Sequence, residues 1–320
     1  MNIPLFQITE KIVDNIECKV CKNTRKTDFE LAFKKDSLKI VRCNKCSFIF
    51  IPPYFRKQIK YTEYKDESVL KQVQAGNDWI KIQRHKLRYK SIRKYKPNGK
   101  LFDLGVGWGH FLYTGKLLGY ETEGIEISEM PYTYAKENLK LNVKHIDFFN
   151  LPEKPLFYDI ITLWDVLEHI DNCDEMIEKC SRMVKEDGII VIQVPQIDSY
   201  FAKRHQEKWK MMGLDHVNYF SKNTIKKLLG QYGFEILEIK SSLEIKLFIM
   251  YTLFPKIQKF KSKGKMKEVN SATRQEYFNK SMNKPKWILK IMVIVHNVLY
   301  QTLSTLNIGE EMVVIAQKKK

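Results

Sequence analysis

Residue types and spacings that chemistry uses occur in three places along this chain. The first is Asp103-Leu104-Gly105-Val106-Gly107-Trp108-Gly109, where an acid and alternating glycines follow an apolar run. Glycines there let backbone N–H groups approach a ligand that a Cβ would hold off. A helix opens behind them at His110-Phe111-Leu112. Glycine-rich turns are common for purely conformational reasons, so the meaning of this one depends on the strands and acids downstream. The second place is Cys18-x2-Cys21 and Cys43-x2-Cys46, two knuckles with 21 residues between them. Each knuckle aims two thiolates at one point, and the pair completes a tetrahedron of the kind that holds structural Zn²⁺ with no open position. The third is His169 and His216, whose side chains change charge near neutral pH and so suit proton transfer.

The totals set the frame for these residues. A chain of 320 residues that is 44% hydrophobic can bury the core of one large α/β domain plus something small, which excludes a disordered protein. The net charge of +18, from 55 basic and 37 acidic residues, fits an anionic partner, although lysine enrichment also follows from genome composition. No apolar stretch reaches the ~18 residues of a membrane span. Met1-Asn2-Ile3-Pro4 shows no basic region leading into an apolar run, so no secretory signal is expected and the expected location is cytoplasmic. Six cysteines in such a setting read as thiols or metal ligands rather than disulfides.

The elements that must position the three sets come next, in chain order. Alternating Phe29, Leu31 and Phe33, then Leu38 and Ile40, then Ser47 to Phe50, predict a short hairpin with zinc at its base, forming a module over residues 1–56. Pro52-Pro53 breaks the chain, and residues 57–99 form a helical connector with Ile80, Leu87 and Ile92 at helical spacing. Strands are expected at Lys100 to Leu104, Glu121 to Ile127, Val143 to Asp147, Tyr158 to Leu163, Ile189 to Val194, Phe234 to Ile239 and Glu311 to Ala316, with helices between them. That alternation predicts a largely parallel sheet covered on both faces, with its core over residues 100–246 and its last strand within 307–320. An insertion over 247–306 separates them. From Lys256 to Lys286 it holds ten Lys or Arg against Glu268 and Glu276, and an apolar helix is expected from Trp287 to Leu303. A basic segment before an apolar helix suits the surface of an anionic membrane, so peripheral attachment through residues 256–303, at the inner face of the membrane, is one expectation. The alternative is a core-packed helix beside a solvated loop.

With the strands in place, the spacing of the acids gains meaning. Glu126 closes the second sheet strand, 21 residues beyond Gly105, where a doubly wound fold places the carboxylate that accepts hydrogen bonds from ribose. Asp147 closes the third, positioned to accept from the exocyclic amine of an adenine. Asp103, Glu126 and Asp147 thus line up along the crevice where open α/β sheets bind ligands.

On these residues the chain resembles the class I S-adenosylmethionine-dependent methyltransferases, over about residues 99–317. Asp103-Leu104-Gly105-Val106-Gly107-Trp108-Gly109 is similar to the family's first motif, which implies that Asp103, Gly105, Gly107 and Gly109 lie against the methionine part of the cofactor. Glu126 and Asp147 then become the ribose and adenine contacts, and Trp164 a ring that stacks on cofactor or acceptor. The resemblance implies a Rossmann-like seven-stranded sheet with helices on both faces. Leu163-Trp164-Asp165-Val166-Leu167-Glu168-His169-Ile170 and His216-Val217-Asn218-Tyr219-Phe220-Ser221 are similar to segments of small-molecule methyltransferases. A four-cysteine module ahead of the core resembles bacterial sugar methyltransferases of polysaccharide biosynthesis. The Asp165, Glu168, His169 spacing looks like the ubiquinone-type O-methyltransferases, which implies a possible Mg²⁺ site if the three share one helical face. An RNA acceptor is disfavoured, since no Asn-Pro-Pro-Tyr segment follows the fourth sheet strand.

The expected function is therefore O-methylation of a sugar hydroxyl in a surface glycan or its precursor, with His169 or His216 as the base. A lipid phenol is the alternative acceptor. From a different class, the chain is a zinc-ribbon interaction protein whose cofactor fold is not catalytic.

Overall fold

Runs of β-branched and aromatic residues bounded by Gly, Asn and Asp build a seven-stranded sheet. In chain order its strands are β4 (Lys100–Leu104), β5 (Glu121–Glu126), β6 (Val143–His145), β7 (Tyr158–Trp164), β8 (Val184–Pro195), β10 (Phe234–Ser242) and β11 (Glu311–Lys318). The structure, a computed structural model, describes residues 16–35, 38–56, 78–212, 215–242 and 309–319, together with Trp287 and Thr302. Across the sheet the order is β10-β11-β8-β7-β4-β5-β6. Strands β4 to β8 pair in parallel, whereas β11 lies antiparallel between β8 and β10. Order reverses beside β4, where β5 lies on one side and β7 on the other; this switch point opens a crevice beyond the strands' carboxyl ends.

Both faces of the sheet are covered, so its central strands read as continuous apolar runs rather than alternations. One face buries Phe102, Leu104, Ile161, Leu163, Ile190 and Ile192 against α4 (Cys173–Met183) and α6 (Lys222–Gln231). The other buries Leu101, Ile160, Ile189 and Val191 against α1 (Asp78–Arg93) and α2 (His110–Leu117), through Tyr89, Ile92, Phe111 and Leu112. Adjacent residues on one strand go to opposite layers, as the period of two requires. The short α3 (Glu129–Thr133) follows β5, and α5 (Tyr200–His205) follows β8.

A second sheet holds the cysteine region: β1 (Phe29–Lys35), β2 (Leu38–Cys43), β3 (Ile49–Phe50) and, as its fourth member, β9 (Asn218–Tyr219). The hairpin expected from the sequence is there, with Phe29 opposite Cys43 in antiparallel register. The fourth strand is not foreshadowed. It comes from the chain beyond β8, and pairs Ile49 with Tyr219 and Phe50 with Asn218. Of this small sheet, Phe29, Val41, Phe48 and Phe50 face the main core, where the Phe48 and Phe220 rings lie 5.1 Å apart. Leu38, Ile40, Ile49 and Ile51 bury the other face against Phe201, Trp209 and Met212. A Lys22–Asp174 ion pair adds a tie to α4.

Residues 57–77 of the connector, and the basic and apolar insertion including residues 256–303 apart from Trp287 and Thr302, lie outside the described residues. Among the described residues no helix is long and apolar enough to cross a membrane.

Candidate functional site

The carboxyl ends of β4, β5 and β6 bring Asp103, Glu126 and Asp147 to one edge of the sheet, in the order expected. Asp103 is buried and accepts a hydrogen bond from the Thr162 hydroxyl on the neighbouring strand. Burial pushes its carboxyl up to about 8, against the opposing pull of that hydroxyl and of the Arg88 charge. Glu126 fastens the glycine turn to the end of β5, since it accepts from the Gly107 N–H at 2.7 Å and from the Ser128 N–H at 2.8 Å. Asp147 accepts from the Phe149 N–H at 2.7 Å and so caps the turn that leaves β6. Behind that turn, Lys179 donates to the carbonyls of Phe148 (2.7 Å) and Leu151 (2.6 Å) and fixes its path.

These residues fit S-adenosylmethionine on their own chemistry. Gly107 adopts φ +54°, and a Cβ built on it would meet nothing within 4 Å, so the turn presents open space rather than packed protein. Ile127, next to Glu126, and Phe149, two residues beyond Asp147, leave 59% and 41% of their surface exposed. Two apolar side chains beside two carboxylates suit a flat base attached to a polyhydroxylated sugar.

Beyond β7 the arrangement departs from the expected helical face. Asp165 has φ +57°, which turns the chain before the one-turn helix Leu167–His169 begins. The i, i+3, i+4 geometry that would gather Asp165, Glu168 and His169 therefore does not arise. Asp165 instead accepts two hydrogen bonds from the Gln193 amide, at 2.9 and 3.0 Å. Gln193 in turn accepts from Arg88 at 3.1 Å, and the Arg88 guanidinium stacks 4.1 Å from the Trp164 ring. Trp164 also packs on Phe111 at 5.0 Å, and its buried indole N–H has no hydrogen-bond partner. Tyr219 is wholly buried in the small sheet.

The two histidines do meet. His169 and His216 stand edge to face with ring centroids 4.7 Å apart, although they come from segments after different strands. Nδ1 of His169 lies 2.8 Å from the Asp215 carbonyl, and Nδ1 of His216 lies 2.7 Å from the Met211 carbonyl. A carbonyl only accepts, so each Nδ1 carries the proton and each Nε2 keeps its lone pair. Burial, and then the neighbouring His169, hold His216 below the usual histidine range. Glu168 lies beneath the pair, with one carboxylate oxygen 3.9 Å from His169 Nε2 and the other buried without a hydrogen-bond partner. Burial, and next the charge of Asp165, keep its carboxyl well above the usual carboxylate range. One donor atom each from Glu168, His169 and His216 falls within 4.8 Å of the others. This set replaces the Asp165, Glu168, His169 set expected for Mg²⁺, and its nitrogen content suits that oxygen-seeking ion poorly.

At the opposite end of the small sheet, Sγ of Cys18 lies 3.4 Å from that of Cys46, and Sγ of Cys21 lies 3.6 Å from that of Cys43. Disulfide sulfurs lie at ~2.05 Å. Four sulfurs at ~2.3 Å from a central Zn²⁺ stand roughly 3.8 Å apart, so the observed spacing is that of a metal tetrahedron.

Sequence reasoning missed Arg88 and Gln193. Arg88 falls in a segment legible only as a connector, and Gln193 in a strand whose neighbours are all apolar, so neither gave a signal.

Residues 82–239 match a family model described as a methyltransferase domain. The uncharacterized protein MJ1123 of Methanocaldococcus jannaschii is 28% identical over 153 residues, which is 47% of this chain and 72% of that protein. The ubiquinone biosynthesis O-methyltransferase of Nitrosomonas europaea is 28% identical over 94 residues, and the match spans 28% of this chain but only 40% of that enzyme. Among solved structures, a SAM-dependent methyltransferase from Archaeoglobus fulgidus superposes with a TM-score of 0.49 at 21% identity, over 79% of this chain and all of that one (100%). The family match covers the glycine turn, the strand-end acids and the histidine pair. By that match this chain carries a methyltransferase domain over residues 82–239.

Proposed function

We propose that the chain methylates a hydroxyl group of a sugar, within a surface glycan or its precursor. The observation that carries this reading is the pair His169 and His216, edge to face with ring centroids 4.7 Å apart and each with Nδ1–H held by a backbone carbonyl, which fixes how each ring is turned. S-adenosylmethionine supplies an already activated methyl group on a sulfonium. The work left to the protein is to align an oxygen nucleophile and remove its proton, worth roughly 10²- to 10⁴-fold in rate. With the cofactor bound, one Nε2 would take the proton of the acceptor hydroxyl as its oxygen gains the methyl group and the methyl–sulfur bond pair stays with S-adenosylhomocysteine, and the second histidine would share the resulting charge. Asp103, Gly105 and Gly107 line the methionine end, with Gly109 packed behind them against Ala135 and Leu141; Glu126 accepts from ribose and Asp147 from adenine, while Trp164, backed by Arg88, closes the site beside Asp165.

A polar acceptor is favoured because exposed carboxylates stand near the histidines: Asp215 lies 3.9 Å from His169 Nδ1, and Asp165, held by Gln193, is exposed three residues before Glu168. Likeness to the ubiquinone biosynthesis O-methyltransferases over 94 residues supports a second reading, a lipid phenol as acceptor. Incubation with methyl-labelled S-adenosylmethionine and parallel panels of nucleotide sugars, oligosaccharides and polyprenyl phenols separates the two. Label in the sugars, lost at least 100-fold in His169→Ala or His216→Ala with cofactor affinity kept, is the expected result; label confined to the phenols refutes the sugar reading.

The same proposal assigns a structural Zn²⁺ to Cys18, Cys21, Cys43 and Cys46, supported by the sulfur spacing. Elemental analysis is expected to give one zinc per chain, lost in Cys43→Ser; a metal-free wild-type protein contradicts the assignment.

A further inference from the structure

A continuous path of hydrogen bonds leads from the cysteine cluster to the histidine pair. Cys43 N–H donates to the Phe48 carbonyl at 2.9 Å, which holds the second knuckle against the start of β3. Strand β3 then pairs with β9, and the next residue, Ile51, donates its N–H to the Val217 carbonyl at 2.9 Å. Val217 adjoins His216 in the chain, and its own N–H donates to the Glu168 carbonyl at 2.8 Å, beside His169. Asn218 completes the path: its buried amide donates to the carbonyls of Leu167 (3.2 Å) and Ile170 (2.7 Å), bracketing the turn that carries Glu168 and His169.

The strand pairing of β9 is short. It has two residues, and among the described residues its strand partner is β3, itself two residues long and paired on its other side with β2, the strand that ends in Cys43; the residue after β9, Phe220, is bridged to Gln196. Paired segments that short are marginal in water unless something else fixes them. A small ribbon gains its order from the metal it closes around. The seven-stranded sheet, by contrast, contains no strand of the small sheet, and the cofactor-side acids all stand on it.

We infer that the cysteine module is a positioning device for the acceptor side of the site: its metal fixes β3, β3 fixes β9, and Asn218 with Val217 set His169 opposite His216. Asn218 is a positioning residue, acting through the two histidines. The inference rests on the zinc and histidine readings above, and its test separates their failures from its own.

The full chain, labelled at histidine, is stripped of zinc with a chelator and compared with the metal-loaded protein. S-adenosylmethionine affinity by calorimetry should stay within about threefold, because the cofactor side does not depend on the ribbon. The NMR cross-relaxation between the His169 and His216 rings should vanish, and amide exchange at Val217 should accelerate at least 100-fold. Ring contact and protection that survive zinc removal overturn the inference, as does a collapse of cofactor affinity alongside them, which would make the ribbon a support for the whole fold. Ile51→Pro deletes the Ile51 N–H and leaves the cysteines in place. It should keep one zinc per chain and lose the ring contact, and retention of that contact refutes the β3–β9 route. Asn218→Ala should weaken the contact with zinc and cofactor binding both unchanged; an unaltered contact removes Asn218 from the path. A protein that holds no zinc as purified overturns the metal's part together with the zinc assignment, and Ile51→Pro still decides the part played by the strand.

Discussion

Substituting two glycines of the same turn should give opposite results, and the contrast tests where the cofactor lies. Gly107 has φ +54° and Gly109 φ +80°, so alanine at either position meets the left-handed penalty of roughly 1–2 kcal/mol. What differs is the space around the new methyl. At Gly107 it would meet nothing within 4 Å, whereas at Gly109 it would lie 2.9 Å from both Ala135 Cβ and Leu141 Cδ1. Gly109→Ala therefore adds overpacking of ~1–3 kcal/mol to the strain. At about 2–4 °C per kcal/mol for a domain of this size, Gly107→Ala should melt roughly 2–8 °C lower and Gly109→Ala clearly lower again. For the cofactor the order reverses. The Gly107 methyl enters the space that the ligand would fill, and a clash of ~1.4–2.8 kcal/mol lowers affinity about 10- to 100-fold, with Gly107→Arg abolishing binding. Thermal unfolding without cofactor and calorimetry with S-adenosylmethionine and its demethylated product measure the two effects separately. If Gly107→Arg bound normally, or Gly109→Ala lost more affinity than Gly107→Ala, the cofactor would not lie against Gly107.

The pH dependence carries further predictions. Burial and His169 lower the His216 pKa, so if His216 is the base its activity should persist below the ordinary histidine range and fail only as pH drops through the lowered value. The stability contribution has the same sign: the unfolded chain binds the proton first, so this part of the stability is present above pH ~6.5 and is lost as pH falls. A His216→Gln variant that leaves the acid limb of the rate profile unchanged excludes His216 as that base. Asp103 runs the other way. Its carboxyl is raised from 3.8 to about 8, the folded state holds the extra proton, and cofactor-free stability should fall as pH rises through that window. Asp103→Asn should flatten this slope and be more stable than the wild type at pH 8 in urea unfolding; an unchanged slope contradicts the assignment. Lys179→Met should cost about 1–3 kcal/mol by leaving the Phe148 and Leu151 carbonyls unpaired, and should weaken cofactor binding through the Asp147 turn. Unaltered calorimetry would detach that turn from the cofactor.

The main sheet was legible because buried parallel strands write themselves as uninterrupted apolar runs. Lys100–Leu104 agrees to the residue, and the other strands differ from expectation mainly at their ends. The largest difference is β8, which begins at Val184 rather than Ile189, since Val184 already pairs with Tyr158 across an irregularity in register. The strand-end acids were legible for the same reason: once strands are placed, their last residues share an edge. Three features were not. Asn218-Tyr219 is too short to show a period, so the fourth strand of the small sheet left no trace. The positive φ of Asp165 is unusual for a residue with a side chain, and a spacing argument that assumes a helix cannot anticipate it. Arg88 reaches Trp164 and Gln193 from a helix whose apolar residues announce only that it packs.

Strand β11 has a consequence for how the protein is made. It fills the gap between β8 and β10 with antiparallel pairs on both sides, and in the chain it follows residues 243–308. At ~5–20 residues per second, that stretch takes roughly 3–13 s to synthesise. Through those seconds β8 and β10 are both complete and each presents an open edge, with Val191 and Ile192 of β8 still without their β11 partners Ile315 and Val314. Open apolar edges are templates for pairing with another chain. The length of the segment between β10 and β11 is therefore a clock on aggregation during translation: each residue added there extends the exposure, and shortening it should raise soluble yield without touching the site.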